Sequence, residues 1–367
     1  MHLTTRPPCL RASTYPASSN DTASPICVAD KSRSRRRVKN VFIDDRGHPD
    51  QSDEFDVLLR NIDGGPVLRK LKHQPPPLDS VDPTFMFPFD EALHGDRLRK
   101  DLDLSHLDAP LQQSIYALVR KYWSVFDDRG VFVPVRDYEC VIDTGDAHPI
   151  AVKKIMYGPN ELPIMRRAVA ALEKVGHIRQ ICDGRWLFKA VLAPKPHQEH
   201  IRHIQDFVWR FCVNCVPLNS VTRVIAYPIP RCDAAVSEEF GTGQWLWLFD
   251  APSGYHQLAV AQDSQEKLAF QGPDAIKYTY MVMPFGPTNG PATFINFIYD
   301  VDSQWKSLAR MMGITIDDET NTRIIVDDIV SHGKSLPISM LYMECQLRVA
   351  LAYRLFHSLQ KSYIFPR

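Results

Sequence analysis

The sequence lacks any apolar run of the roughly 18 residues that a membrane-spanning helix needs. Arg6 and Arg11 stand near its start with no apolar stretch behind them, so a secretory signal is not expected. Cysteine is sparse: 8 in 367 residues, irregularly spaced, which argues against a disulfide framework and for a reducing, intracellular setting. Cys212 and Cys215 form one Cys-x-x-Cys pair, but no second pair follows at zinc-ribbon spacing. Net charge is also missing. Lys and Arg total 43 and Asp and Glu total 43, so bulk electrostatics gives no argument for a nucleic-acid partner, and any basic surface must be local. No internal repeat is found. What remains is 44% hydrophobic and 23% charged, a globular composition long enough for one large core or two smaller ones.

Residues 1–50 are rich in Ser, Thr, Pro and Arg and include the basic run Lys31-Ser32-Arg33-Ser34-Arg35-Arg36-Arg37-Val38-Lys39. Such a segment buries too little apolar surface to offset its ordering entropy, so residues 1–80 are expected to be disordered or poorly structured. A solvated tail is the first reading, and a basic nucleic-acid-binding or import segment the alternative. Prolines across 75–90 predict an extended linker. Helical periodicity covers 111–126 and stops at Asp127-Asp128-Arg129-Gly130; a second amphipathic helix covers 161–175 and ends at Gly176. Strands are predicted at 186–192 and 211–213, and Tyr227-Pro228-Ile229-Pro230 leads into a helix at 231–239. From 245 onward the pattern reads strand (245–250), turn (253–257), extended segment (258–260), alternating run (277–283), Pro/Gly-rich loop (284–291) and helix (292–311). Two strands then meet at an acidic turn within 324–331, and an amphipathic helix spans 341–359. The predicted class is α+β, a small antiparallel sheet with helices on one face.

Asp250 closes the apolar run Trp245-Leu246-Trp247-Leu248-Phe249, and Asp327-Asp328 interrupts Ile324-Ile325-Val326 and Ile329-Val330. Carboxylates so tightly flanked by apolar residues need a reason to stay charged, and a divalent metal is one. Oxygen donors suit Mg²⁺, with Mn²⁺ as a substitute, and two such ions make a phosphoryl-transfer site. The alternative is a pair of solvated turn aspartates and a helix cap. Pro284-Phe285-Gly286-Pro287-Thr288-Asn289-Gly290-Pro291 reads equally as a platform facing a nucleotide or as an elaborate cap of the following helix. Lys195 and Arg210 are either phosphate-gripping cations or plain surface charges. Asp143-Thr144-Gly145 matches the loop of an aspartic protease, but such an enzyme needs two such aspartates and an all-β lobe, and a helix-rich segment follows His148-Pro149 instead.

From about residue 135 onward these motifs together resemble the reverse transcriptases of long-terminal-repeat retrotransposons, Gypsy type, a piece of the Pol polyprotein. Leu248-Phe249-Asp250-Ala251-Pro252-Ser253-Gly254-Tyr255-His256-Gln257 is similar to the first catalytic palm motif. Met283-Pro284-Phe285-Gly286-Pro287-Thr288-Asn289-Gly290-Pro291-Ala292-Thr293-Phe294 is similar to the loop and helix supporting template and nucleotide. Ile325-Val326-Asp327-Asp328 stands where that family has an aromatic, a variable residue and two aspartates. Upstream, Ile142-Asp143-Thr144-Gly145 with His148-Pro149 resembles the lead-in, and Gly176-His177-Ile178-Arg179 the entry to the fingers. Ala193-Pro194-Lys195 and Trp209-Arg210-Phe211-Cys212-Val213 resemble the fingers hairpin, which Leu218-Asn219 and the 227–230 stretch complete. Residues 347–359 with Lys361 and Phe365 resemble the helix and strand that run toward the primer grip.

The resemblance implies a right-hand polymerase: a linker and helical lead-in at 81–150, fingers at 151–230, and a palm at 231–367 that shares part of the fingers and stops before a thumb. The implied activity is RNA-directed DNA synthesis on a primer 3′ end with two Mg²⁺ ions. Asp250 and Asp327 would be the main metal ligands, with Asp328 beside them. Tyr255 would lie under the nucleotide sugar, Gln257 near that pocket, Phe285 and Gly286 along the nucleotide, Asn289 bracing the loop, and Lys195 and Arg210 on the phosphates. Implied partners are an RNA or DNA template with primer, deoxynucleoside triphosphates, and RNase H and integrase regions of the same polyprotein, with no membrane. The setting would be the cytoplasm, a virus-like particle or the nucleus. The sequence departs from that family at Asn214, where an aspartate is usual, and at Ile325, Pro287 and Gly290; the segments between Lys195 and Arg210 and between Phe294 and Asp327 are long. These departures leave a second expectation, a catalytically silent nucleic-acid-binding remnant of the same fold.

Overall fold

The strand expected at 245–250 forms at the interior of a four-stranded antiparallel sheet, and most of the architecture follows from which of its faces is apolar. The structure is a computed structural model that describes residues 68–71, 87–126, 133–153, 155–195, 208–225, 245–317, 319–325 and 328–366. The expectations for 1–67, for most of the 75–90 linker, for the stop at 127–130, for 227–239 and for Asp327 lie outside the described residues.

In chain order the strands are β1 (Leu68–Lys70), β2 (Tyr138–Cys140), β3 (Ile178–Ile181), β4 (Phe188–Pro194), β5 (Trp209–Val213), β6 (Trp245–Asp250), β7 (Ala259–Val260), β8 (Ala269–Gln271), β9 (Lys277–Tyr280), β10 (Thr320–Ile325), β11 (Asp328–Gly333) and β12 (Ser358–Pro366). The longer helices are α1 (Glu91–Asp101), α2 (Ala109–Lys121), α3 (Leu162–Lys174), α4 (Gly290–Met311) and α5 (Leu336–Tyr353). One sheet runs β10-β11-β6-β12, a second β3-β9-β8-β4-β5, and a small third β1-β2-β7. The first is antiparallel throughout, whereas β4 with β8 and β2 with β7 are parallel pairs.

In the first sheet Trp247 and Phe249 of β6 stand opposite Ser331 and Ile329 of β11, and all four are buried. Side chains alternate along a strand, so this face packs inward while Leu248, Asp250, Asp328 and Val330 share the other. Helix α5 covers the inward face. Its Gln346 accepts a hydrogen bond from Trp247 Nε1 at 2.7 Å and donates to Ser331 Oγ at 2.8 Å and Thr322 Oγ1 at 3.1 Å, so the polar groups buried there are paired. Helices on one face of an antiparallel sheet, the α+β arrangement read from the sequence, are thus what forms. Among the described residues no helix is long and apolar enough to cross a membrane.

Several boundaries differ from expectation. The helix predicted at 341–359 runs from Leu336 to Tyr353; Arg354 takes a left-handed backbone (φ 58°) that ends it, and Ser358 begins β12. Apolar residues continue through both elements, so periodicity alone could not separate them. The alternating run at 277–283 is a strand only to Tyr280, and the 111–126 helix becomes a 3-10 turn at Trp123–Val125. Strands β1, β2, β3 and β8 and helix α1 are not among the predicted elements, and β1 lies within the 1–80 segment expected to be poorly structured.

Candidate active site

Asp250 ends β6, Asp328 begins β11 and Ser358 begins β12. The pairing register sets Asp328 and Ser358 on either side of Asp250 in one row across the sheet. Directly opposed residues of an antiparallel pair project from the same face with Cβ atoms about 5 Å apart. Two carboxylates distant in sequence therefore share the outer face at one edge. Asp250 is only 5% exposed. Its Oδ1 accepts from Lys361 Nζ at 3.1 Å, and its Oδ2 is buried without a hydrogen-bond partner among the described residues. A carboxylate accepts several bonds, so an orphaned buried oxygen beside a second acidic residue is a donor set suited to a hard cation. Among the described residues no group of three or more His, Cys, Asp or Glu side chains surrounds one point, and Asp327, the third acidic residue of the sequence motif, is outside them.

Lys361 reaches Asp250 because β12 is irregular. Regular pairing from Ser358 opposite Asp250 would set Gln360 opposite Leu248, yet Tyr363 stands there. The additional residues bulge out and aim Lys361 at the carboxylate, the kind of re-aiming that bulges provide beside active sites. Its side chain is 64% exposed, so the ion pair is screened and adds little to stability.

After β6 the chain turns sharply at Ser253, in a left-handed conformation (φ 50°), into the 3-10 turn Gly254–Gln257. A Cβ at Gly254 would lie 2.5 Å from Phe294 Cζ, so only glycine lets this turn approach α4 so closely. The approach sets the Tyr255 ring edge-on to Phe294 (centroids 5.8 Å) and tilted against Phe285 (5.1 Å). Phe285 is 40% exposed and also meets His256 edge-on at 5.3 Å; His256 in turn contacts His177 at 4.9 Å. Burial lowers both histidines to about 4, so these rings are neutral apolar supports at physiological pH. Gln257 is buried beneath the turn. Its Nε2 donates to the carbonyls of Pro252 (3.1 Å) and Phe356 (3.2 Å), and its Oε1 accepts from Phe356 N (2.8 Å). That amide ties the turn after β6 to the start of β12.

Lys195 and Arg210 lie on the β4–β5 ladder, where Ala193 opposes Arg210 and Lys195 N donates to Val208 O at 2.9 Å. Residues 193 and 195 point the same way, so Arg210 and Lys195 are diagonal neighbours on one face, both exposed. The other end of β5 meets the 284–290 loop. Gly286 adopts φ 126°, and a Cβ there would lie 3.0 Å from Cys215 Sγ and 3.2 Å from Val213 O. Burial holds the Cys215 thiol up at about 12, so it is a neutral packing group against that loop. The end of β5 thus meets Gly286, the neighbouring Phe285 meets Tyr255, and Tyr255 follows Asp250 by five residues in the chain.

The family model described as reverse transcriptase (RNA-dependent DNA polymerase) matches residues 173–366. The chain belongs to the reverse transcriptase family. It is 29% identical over 201 residues, 53% of its length, to the retrovirus-related Pol polyprotein from transposon opus of Drosophila melanogaster. It is 30% identical over 126 residues, 34% of its length, to the transposon Tf2-3 polyprotein of Schizosaccharomyces pombe. It spans 18% and 8% of those two relatives. In fold it resembles the foamy viral protease-reverse transcriptase solved in complex with an RNA/DNA hybrid, with a TM-score of 0.59 at 16% identity, over 79% of this chain and 34% of that one. The resemblance to the reverse transcriptases of retrotransposon Pol polyproteins, read from the motifs, is thereby borne out.

For this reverse transcriptase chain the structure brings together Asp250 with Asp328, Tyr255 with Phe285, and Lys195 with Arg210. Sequence reasoning missed Lys361 as a site residue and Asn219 as a partner of the 284–290 loop. Lys361 is part of the motif that resembles the strand toward the primer grip, but no local pattern places it at Asp250, because only the register slip in β12 brings it there. The Leu218-Asn219 motif was noticed, but what Asn219 touches depends on tertiary packing.

Proposed function

We propose that the chain is the fingers and palm of an RNA-directed DNA polymerase from a retrotransposon polyprotein of Gypsy type, adding deoxynucleotides to a primer 3′ end. The observation carrying this reading is the cross-strand pairing of Asp250 with Asp328, with one buried Asp250 oxygen left without a hydrogen-bond partner among the described residues. Asp250, Asp327 and Asp328 would hold two Mg²⁺ ions. When bound, such ions supply the Lewis acidity that activates a primer hydroxyl and stabilises a departing pyrophosphate. Residues 151–230 serve as fingers and 231–367 as palm, with β8 and β9 completing the fingers sheet, and 81–150 as lead-in. Lys195 and Arg210 neutralise the triphosphate, a point charge beside a planar fork. Tyr255 carries the sugar and crowds a 2′-hydroxyl; Phe285 and Gly286 line the base and sugar; Gln257 and Asn289 hold this platform in place. The nucleic-acid partner is a primer paired to an RNA or DNA template, the class of duplex bound by the foamy viral protein of the same fold.

A second reading, a silent nucleic-acid-binding remnant, is favoured by Lys361, since a carboxylate already neutralised by a resident ammonium has less need of a metal. Primer extension separates the two. With an RNA template, a DNA primer, deoxynucleotides and Mg²⁺, the polymerase reading requires templated products that disappear on chelation and return when Mg²⁺ is restored. Duplex binding without any product supports the remnant.

A further inference from the structure

The loop from Pro284 to Gly290 is held by two asparagines that face each other's backbone. Asn219 ends the short helix Val216–Asn219 that follows β5. Its Nδ2 donates to Gly286 O at 2.9 Å and its Oδ1 accepts from Thr288 N at 2.9 Å. Asn289 answers from the loop. Its Nδ2 donates to Arg223 O at 2.8 Å and its Oδ1 accepts from Ile225 N at 3.1 Å. Each side chain therefore supplies one donor and one acceptor to the other segment's main chain, as a paired strand would.

Asn289 occupies the N-cap position of α4, where an Asn side chain ordinarily satisfies the first helical amides, yet it makes no such cap bond. Its amide is diverted wholly to residues 223 and 225, and it is only 7% exposed. A helix-capping role thus leaves the residue unexplained. Arg223 is itself anchored, its N–H donating to Asp143 O at 2.9 Å. The segment that grips the loop is thereby tied to the chain leading into the fingers.

We infer that Asn219 and Asn289 form a reciprocal clasp that fixes the height of the Phe285–Gly286 platform against Tyr255, which makes Asn219 a positioning residue for the incoming nucleotide. This rests on the polymerase reading above. Neither amide touches the acidic row, so the clasp acts on nucleotide affinity and leaves the metal ligands alone.

The test is steady-state single-nucleotide extension by wild type, Asn219→Ala, Asn289→Ala and the double variant, with melting temperature recorded for each. Loss of the two hydrogen bonds that each asparagine makes predicts a KM for deoxynucleotide raised about 5- to 20-fold, with kcat held within about threefold. The double variant should raise KM by much less than the product of the single effects, because breaking one half disables the other. Asn219→Asp keeps the acceptor for Thr288 N but sets an oxygen against Gly286 O, and its KM should rise at least as far as that of Asn219→Ala. A KM within twofold of wild type, effects that multiply, or a loss confined to kcat would overturn the clasp. So would failure of both Asn219 variants to fold, which would make the contact purely structural. Wild type that makes no product overturns the polymerase reading and this inference together; wild type that extends normally with unaltered KM in every variant overturns the clasp alone.

Discussion

Asp250→Asn is expected to reduce templated extension by about a thousandfold or more while leaving the fold intact. The substitution preserves shape at a site that is 5% exposed. An amide oxygen still accepts from Lys361, and that lysine is exposed enough to find water. The change therefore removes a negative charge and little else, so melting temperature should move by no more than a degree or two. The loss is large because a hard cation bound there depends on that charge, and preorganised electrostatics is commonly the largest single contribution to such a rate. Asp327→Asn should behave in the same way. Single-turnover extension, with circular dichroism as the control for folding, measures both. Residual rates equal to wild type would remove these carboxylates from the chemistry.

Gly254→Ala is expected to be the most damaging small change at the site. The added Cβ would sit 2.5 Å from Phe294 Cζ and 2.9 Å from two further ring atoms, and Phe294 is fully buried in the core. Overpacking of this kind costs about 1–3 kcal/mol. For a domain of this size that lowers the melting temperature by roughly 2–6 °C. The functional effect should exceed the thermal one, because the displaced Phe294 ring is also Tyr255's edge-on neighbour. At temperatures where the variant is folded, its KM for nucleotide should rise by about tenfold, the equivalent of about 1.4 kcal/mol. Unaltered melting temperature and KM would mean that the turn after β6 is looser than this packing implies.

The two effects divide according to what the sequence made legible. Asp250 and Asp327-Asp328 stood out because carboxylates inside apolar strand-like runs conflict with burial unless something compensates. The strand at Trp245–Asp250 was read to the residue for the same reason. Local pattern could not show the register: that Asp328, and not a neighbour, lies across from Asp250 depends on side-chain alternation over three strands, of which β6 is far in the chain from β11 and β12. Lys361 is marked by the family resemblance, but its approach to Asp250 is not legible for a related reason, since a bulge obeys no periodicity. The Pro/Gly loop is recognisable in the sequence, but the bonding of Asn289 is not, because its amide reaches the 223–225 backbone and not its own helix. Helix α5 was misplaced because α5 and β12 are both apolar and follow each other closely, and the left-handed Arg354 that separates them carries no signal as strong as glycine would.

Titration with Mn²⁺ followed by electron paramagnetic resonance tests the proposed cation site at the Asp250 carboxylate without reference to turnover. With primer-template and nucleotide present, wild type should bind Mn²⁺ saturably, Asp250→Asn should bind it at least about tenfold more weakly, and Lys361→Met should bind it more tightly because the competing ammonium is gone. Binding that is the same in all three proteins would contradict the account, since the ion would then reside somewhere other than the edge where these strands bring their acidic residues together.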